Sequence, residues 1–172
     1  FYKKVNPMEA SSILSHSQII QKIDRIAFQI IEDNLNESEI YIVGIANQGY
    51  ILAEHLVENL RKISENTFHL LELSFNKKNS IECLTNDTKL DIPKNKVVIL
   101  VDDVLNTGET LMHANHVILR HDVKKMRTVV LIDRRHRLFP IKADFAGLTL
   151  STTLENHIEV EFKNREFSAH LK

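Results

Sequence analysis

Glycine is scarce in this chain, four in 172 residues, so each one marks a place where the backbone has a special need. Cysteine is scarcer: Cys83 stands alone, which excludes an internal disulfide framework and fits a reducing cytoplasm. No apolar run approaches the roughly 20 residues that span a bilayer, so a membrane partner is not expected. A formal net charge of -1 removes any global case for nucleic acid or membrane binding and leaves only local basic patches. The nine histidines show no H-E-x-x-H or similar spacing, so no metal held directly by protein ligands is expected. Neither G-x-x-x-x-G-K-[ST] nor G-x-G-x-x-G occurs, which withholds the P-loop and the dinucleotide fingerprint. The opening FYKKVNPMEA does not read as a secretory signal, and a start on Phe1 instead of Met suggests missing first residues.

What is present is an ordinary globular composition, 43% hydrophobic and 26% charged, over a length that suits one domain, 1–172. Apolar positions from Ser17 to near Asn34 recur at three- and four-residue spacing and predict an amphipathic helix. Glu39 to Ile45 (EIYIVGI) reads as a strand, Gly49 to about Ile63 as a helix, and Phe68 to Phe75 as a second strand. A polar stretch over 76–95 is too long for a tight connection and has the character of a lid. Val97 to Val101 predicts a third strand, 108–121 a helix, Arg127 to Ile132 a fourth strand, and 157–162 a late strand. Strand alternating with helix implies an α/β domain with a mainly parallel sheet, whose ligands bind beyond the carboxyl ends of the strands. Gly44 and Gly49 at the first strand, Gly108 after the third and Gly147 past the fourth all cluster at such ends.

The stretch VVILVDDVLNTGETL, 97–111, carries the chemistry. Two adjacent carboxylates, Asp102 and Asp103, repel each other, and burying either is costly unless a ligand compensates. A turn alone needs only one Asp, Asn or Gly. Thr107-Gly108-Glu109-Thr110 then opens a helix, whose free N–H groups and partial positive charge suit a phosphate. Carboxylates for sugar hydroxyls beside a phosphate cradle describe a phosphorylated sugar. The plainer alternative is that Thr107 caps the helix and the aspartates are solvated.

That stretch resembles the phosphoribosyl pyrophosphate (PRPP) motif of type I phosphoribosyltransferases. IIQKIDRIAFQIIEDN, IYIVGIANQGYILAEHL and LIDRRHRLFPIKADFAGLTLSTTLENHIEVEF extend the likeness, and are similar to the bacterial pyrimidine operon attenuation regulators, which are also uracil phosphoribosyltransferases. Their D-R-G-H-R-x-x-P-I-x-A-D pattern reads here Asp133-Arg134-Arg135-His136-Arg137, Pro140-Ile141, Ala143-Asp144.

The resemblance implies a type I phosphoribosyltransferase fold: a mainly parallel twisted sheet flanked by helices. It also implies a small hood, from N-terminal residues and about 134–165. It implies transfer of ribose 5-phosphate from PRPP to a nucleobase, uracil favoured, with Mg²⁺ bound alongside PRPP. Asp102 and Asp103 would take the ribose hydroxyls, and Val104, Leu105, Asn106, Thr107, Gly108, Glu109 and Thr110 would wrap PRPP. Ala46, Asn47, Gln48 and Gly49 match the pyrophosphate loop, and 76–95 the closing loop. Asp144-Phe145-Ala146-Gly147 matches the hood over the base, with Phe145 stacking and Ala146 offering backbone hydrogen bonds; a core role for Phe145 is the alternative. Arg25, His136 and Arg137 would form an RNA face, against the alternative of a solvated loop. A homodimer or higher homo-oligomer is also implied, with the apolar first helix as a candidate interface.

Three departures stand against the resemblance. Asn47-Gln48 is neutral where active relatives usually carry a basic residue, Glu109 replaces an arginine, and Leu148 replaces a lysine expected to touch RNA. The first two favour the rival reading of a catalytically weak PRPP- or nucleotide-binding regulator, and the third weighs against RNA binding. Asn106 occupies a position where purine-specific members often carry a catalytic Asp, which weighs against hypoxanthine or guanine.

Overall fold

The strands of the larger sheet are nearly continuous apolar runs because both of their faces are covered. A computed structural model of the chain describes residues 11–75, 90–151 and 157–171. Its elements run β1 (Ser11–Leu14), α1 (His16–Asp33), β2 (Glu39–Ile45), α2 (Gln48–Ile63), β3 (Thr67–Leu73), β4 (Val97–Leu105), α3 (Glu109–Leu119), β5 (Lys125–Asp133), β6 (Phe145–Thr149), β7 (Ile158–Lys163) and β8 (Glu166–Leu171). Five strands pair in the order β3-β2-β4-β5-β6, and every pairing is parallel. The remaining three form an antiparallel sheet, β1-β8-β7.

Side chains alternate across the large sheet, so strand parity decides which core each residue joins. Ile40, Ile42, Val97, Ile99, Val129 and Leu131 face α1 and α2. Tyr41, Val43, Val98, Leu100 and Val130 face α3 and pack on Leu111, Ala114, Val117 and Ile118. The first core continues without a break into the small sheet through Leu14, Ile158, Val160, Phe167 and Ala169. Helix α1 starts at a capping box, with Ser15 and Gln18 satisfying each other's backbone N–H groups. Its apolar stripe, Ile19, Ile23, Ile26 and Ile30, is spent on this core and is not free to pair subunits.

Several sequence expectations shift. The third strand continues past Val101 to Leu105 because β5 keeps pairing with it, Asp102 against Val130 and Leu105 against Asp133. The two aspartates therefore sit inside the strand's last turns. Residues 145–149, expected in the hood, are the edge strand of the large sheet instead, since their backbone pairs with β5. Leu148 accordingly packs against the first core. Strands β1 and β8 were not anticipated; short segments with a polar face give weak periodicity. The expected closing loop lies largely outside the described residues, but its far end is core: Leu90 and Ile92 are buried under the α3 side.

The strand order reverses at β2. From there the chain passes to β3 on one side, then to β4 on the other. A crevice opens at such a switch point, flanked by the loops that follow β2 and β4. Close packing sets those loops. A Cβ on Gly44 would lie 2.6 Å from the Cα of Tyr50 and 2.9 Å from the Cβ of Ala53, so only glycine lets α2 lie this near β2. Gly44→Ala should lower stability by about 1–3 kcal/mol, a fall in melting temperature of roughly 2–4 °C per kcal/mol for a domain of this size. An unchanged thermal melt would show that α2 can ride away from the sheet.

Candidate active site

The loops after β2 and β4 touch. A Cβ on Gly49 would stand 3.1 Å from both Cα and Oδ1 of Asp102, so the glycine after β2 closes directly on the first carboxylate. Around them lies a cleft of about 480 Å³, lined by Ile45, Ala46, Gln48, Asp102, Asp103, Val104, Asn106 and Thr110 on one side. The other wall is β7 with the residue before it: His157, Ile158, Glu159, Val160, Glu161 and Lys163. A smaller recess of about 30 Å³ opens beside it between Asp102, Val104 to Gly108, Thr110 and Leu111.

Asp102 is 8% exposed. Its Oδ1 accepts the backbone N–H of Asp103 at 2.9 Å. Burial, and then the neighbouring Asp103 charge, push its carboxyl well above the usual carboxylate range. Such a pair calls for a partner that supplies hydroxyl donors or positive charge. Asp103 is the more open of the two.

The recess is a phosphate cradle in form. Helix α3 starts at Gly108, whose φ of +89° is a left-handed conformation favouring glycine, and no side chain caps the helix. Its first N–H groups thus remain available to a ligand, apart from that of Glu109, which reaches Thr107 Oγ1 at 3.3 Å. The side chain of Glu109 lines neither cavity and lies 3.8 Å from His113 Nε2, one turn along the helix. The charge that replaces arginine is therefore directed away from the cradle.

Asn47 carries strain in the first loop, with φ 70° and ψ −119°. Ala46 N–H donates to the Leu73 carbonyl at 2.9 Å, which ties the loop to β3. Gln48 begins α2, and its buried Oε1 has no hydrogen-bond partner among the described residues. A buried amide oxygen without a donor at a cleft wall can accept from a ligand hydroxyl or a water.

The basic run is not a solvated strip. Arg134 is 5% exposed, and its guanidinium donates to Asn106 Oδ1 at 2.5 Å. Arg134 N–H reaches the Leu105 carbonyl, and the N–H groups of Leu138 and Phe139 both reach that of Thr107. Arg137 pairs with the buried Asp133, whose Oδ1 also accepts the Arg135 N–H at 2.9 Å. Residues 133–139 thus buttress the phosphate cradle from behind. Arg25 donates to the carbonyls of Ala146 at 2.9 Å and Gly147 at 2.8 Å, holding the free edge of β6. Of the three residues placed on an RNA face, only His136 has no such protein contact described.

The site residues therefore divide. Ala46, Gln48, Gly49, Asp102, Asp103, Val104, Asn106 and Thr110 converge on the crevice, and Leu105, Thr107 and Gly108 complete the recess. Phe145 and Ala146 line neither cavity; Phe145 packs on the first core and Ala146 on the second. Asp144 serves the fold, its Oδ2 accepting both N–H and Oγ1 of Thr128. The β7 wall was missed as a site element, although HIEVEFK shows the polar alternation of a strand with one face on a core and one on a cleft.

A family model for the phosphoribosyl transferase domain matches residues 9–165. The chain belongs to that family. Its members are glycosyltransferases that move a phosphoribosyl group. The chain is 32% identical to the bifunctional protein PyrR of Bacillus cereus over 171 aligned positions, 92% of this chain and 93% of the relative. The PyrR of Bacillus anthracis matches to the same extent. Among solved structures, a hypoxanthine-guanine phosphoribosyltransferase from Bacillus anthracis superposes with a TM-score of 0.76 at 20% identity, covering 94% of this chain and 96% of that one. The hypoxanthine phosphoribosyltransferase of Trypanosoma cruzi gives 0.75 at 16%, over 92% and 95%. These structural likenesses concern the fold.

The two aspartates should separate stability from binding. A raised folded-state pKa means that the native protein holds the Asp102 proton more tightly than the unfolded chain. The associated stability is present at acid pH and lost as pH rises through that value. Asp102→Asn should therefore raise the melting temperature at neutral pH, by about 1 kcal/mol or roughly 2–4 °C. The advantage should close as pH falls toward the ordinary 3.8. Asp103→Asn should leave the melt nearly unchanged while weakening nucleotide binding. A large thermal loss with intact affinity would mark the pair as structural.

Proposed function

We propose that the protein transfers the ribose 5-phosphate of PRPP to a nucleobase, with uracil the favoured acceptor and pyrophosphate the leaving group. The observation that carries this reading is the contact of Gly49 with Asp102, which joins a loop bearing an unsatisfied amide to a buried carboxylate pair and a phosphate-sized recess. The recess, with Gly108 and the free start of α3, would hold the 5′-phosphate. Asp102 and Asp103 would take the ribose hydroxyls and lie near the carbon that becomes oxocarbenium-like, where negative charge favours the transition state. Gln48 would donate its Nε2–H groups to the pyrophosphate, and its unsatisfied Oε1 would accept from a ligand hydroxyl or a water.

The carboxylate pair also fits a divalent cation, because burial and mutual repulsion leave it without a compensating positive charge. Mg²⁺ bound with PRPP would supply that charge and neutralise the departing pyrophosphate. Among the described residues no three acidic, histidine or cysteine side chains converge to chelate a metal, so PRPP oxygens would complete its shell.

Asn106 supports a pyrimidine acceptor. Its Oδ1 is engaged by Arg134, and an amide cannot accept the proton that a purine would give to a carboxylate at this position. Among the described residues no helix is long and apolar enough to cross a membrane, and a cytoplasmic setting would agree with the lone cysteine. Self-association would use exposed side chains such as Phe28, 56% accessible, since the stripe of α1 is already buried.

One observation favours a second reading, a PRPP- or nucleotide-binding regulator with little catalysis. The first loop carries no cation, and the cleft is lined by more carboxylates than bases. RNA contact within that reading would require Arg25 and Arg137 to leave their acceptors. One assay divides the two. Incubated with PRPP, Mg²⁺ and each of uracil, hypoxanthine and guanine, the protein should release pyrophosphate with uracil. No turnover with any base, alongside measurable PRPP binding, would establish the regulator.

A further inference from the structure

We propose that Lys163, on the β7 wall, supplies the positive charge for the pyrophosphate end of PRPP that the loop after β2 lacks. The inference rests on the phosphoribosyltransferase reading and adds a residue to it. Pyrophosphate leaves with several negative charges, and a site that accepts it needs permanent positive charge within hydrogen-bond reach. Asn47 and Gln48 bring none. Among the described residues that line the cleft, Lys163 alone is a lysine or arginine, facing a lining that holds four carboxylates. The nearby arginines are committed to the protein: Arg134 to Asn106 and Arg137 to Asp133.

Strand geometry gives Lys163 its aim. Successive side chains of β7 alternate, so Lys163 shares a strand face with Glu159 and Glu161, all three in the cleft lining, while Ile158 and Val160 also reach the first core. Lys163 Nζ lies 2.9 Å from Glu161 Oε1, with the lysine side chain 72% exposed and the glutamate 27%. An exposed pair of this kind is weak. A polyanion can take the ammonium from Glu161 at little cost, and the exposed chain is long enough to swing.

Titration calorimetry with inorganic pyrophosphate and Mg²⁺, and separately with uridine 5′-monophosphate, tests the assignment on the full chain. Lys163→Met should weaken pyrophosphate affinity by about 10- to 100-fold, the range of one charge-assisted contact. Lys163→Arg should restore most of it, and monophosphate affinity should not change in either variant. In turnover, the KM for PRPP should rise in Lys163→Met while that for the base holds. Unchanged pyrophosphate affinity in Lys163→Met, or an equal loss for the monophosphate, overturns the inference and leaves the phosphoribosyltransferase reading standing. A wild-type protein that binds neither ligand overturns both.

Discussion

The buried carboxyl of Asp102 is the constraint around which the rest of the structure is arranged. Left to water it would be stable and idle; at 8% exposure it is held in a costly state. The scaffold that enforces this is a parallel sheet apolar on both faces, with Ile99, Leu100 and Val101 of β4 fully buried just before the acid. Burial on two sides fixes β4 rigidly, and pairing with β5 through Leu105 carries that rigidity past the aspartates. Gly49 then seals the near side. Binding sites commonly concentrate such strain where a ligand relieves it, and the surrounding core meets the cost.

Positive charge is sparse at the cleft, and Arg134 beside it is turned inward. The run 134–137 looks on paper like a surface for phosphates, yet the side chains of Arg134 and Arg137 reach acceptors on Asn106 and Asp133. The consequence is a second layer behind the phosphate recess: Arg134 orients Asn106, and the Thr107 carbonyl is held by two N–H groups from 138 and 139. A recess built from a loop needs such support, because binding groups lose their value when they are free to drift. The basic run thus supports the recess through geometry instead of through its net charge.

How much of this was legible follows from the range of each signal. Four strands of the large sheet and three helices announce themselves through local periodicity, and the PRPP-like stretch through residues adjacent in sequence. Arg134 on Asn106 is a contact between residues 28 apart, and nothing local distinguishes an inward arginine from an outward one. Phe145 and Ala146 were placed over the base by resemblance, but they belong to a strand, four of whose residues pair with β5, at the edge of the sheet. Glu109 read as a charge opposing phosphate; one helical turn toward His113 changes that sense. The alternation in HIEVEFK was visible, but its polar face could as well have met solvent. Only the position of β7 across the switch point turns that face into a cleft wall.

That position depends on the first described residues of the chain. β7 pairs with β8, and β8 with β1, so the wall hangs on a strand just ahead of α1. Phe167 of β8 ties the assembly down: it is buried in the first core, its N–H donates to His16 Nδ1 at 3.0 Å, and its ring meets His55 at 4.8 Å. Phe162 of β7 meets the same His55 ring at 5.0 Å. His55 belongs to α2, the helix that begins with Gln48 at the cleft wall. Burial lowers the His55 pKa, which keeps the ring neutral among these aromatics. The two walls of the cleft are therefore joined through one helix. Anything that moves α2 against β2 shifts the loop that faces Asp102 and the strand that faces it from across the cleft together, so the width of the cleft is set by aromatic packing remote from its polar groups.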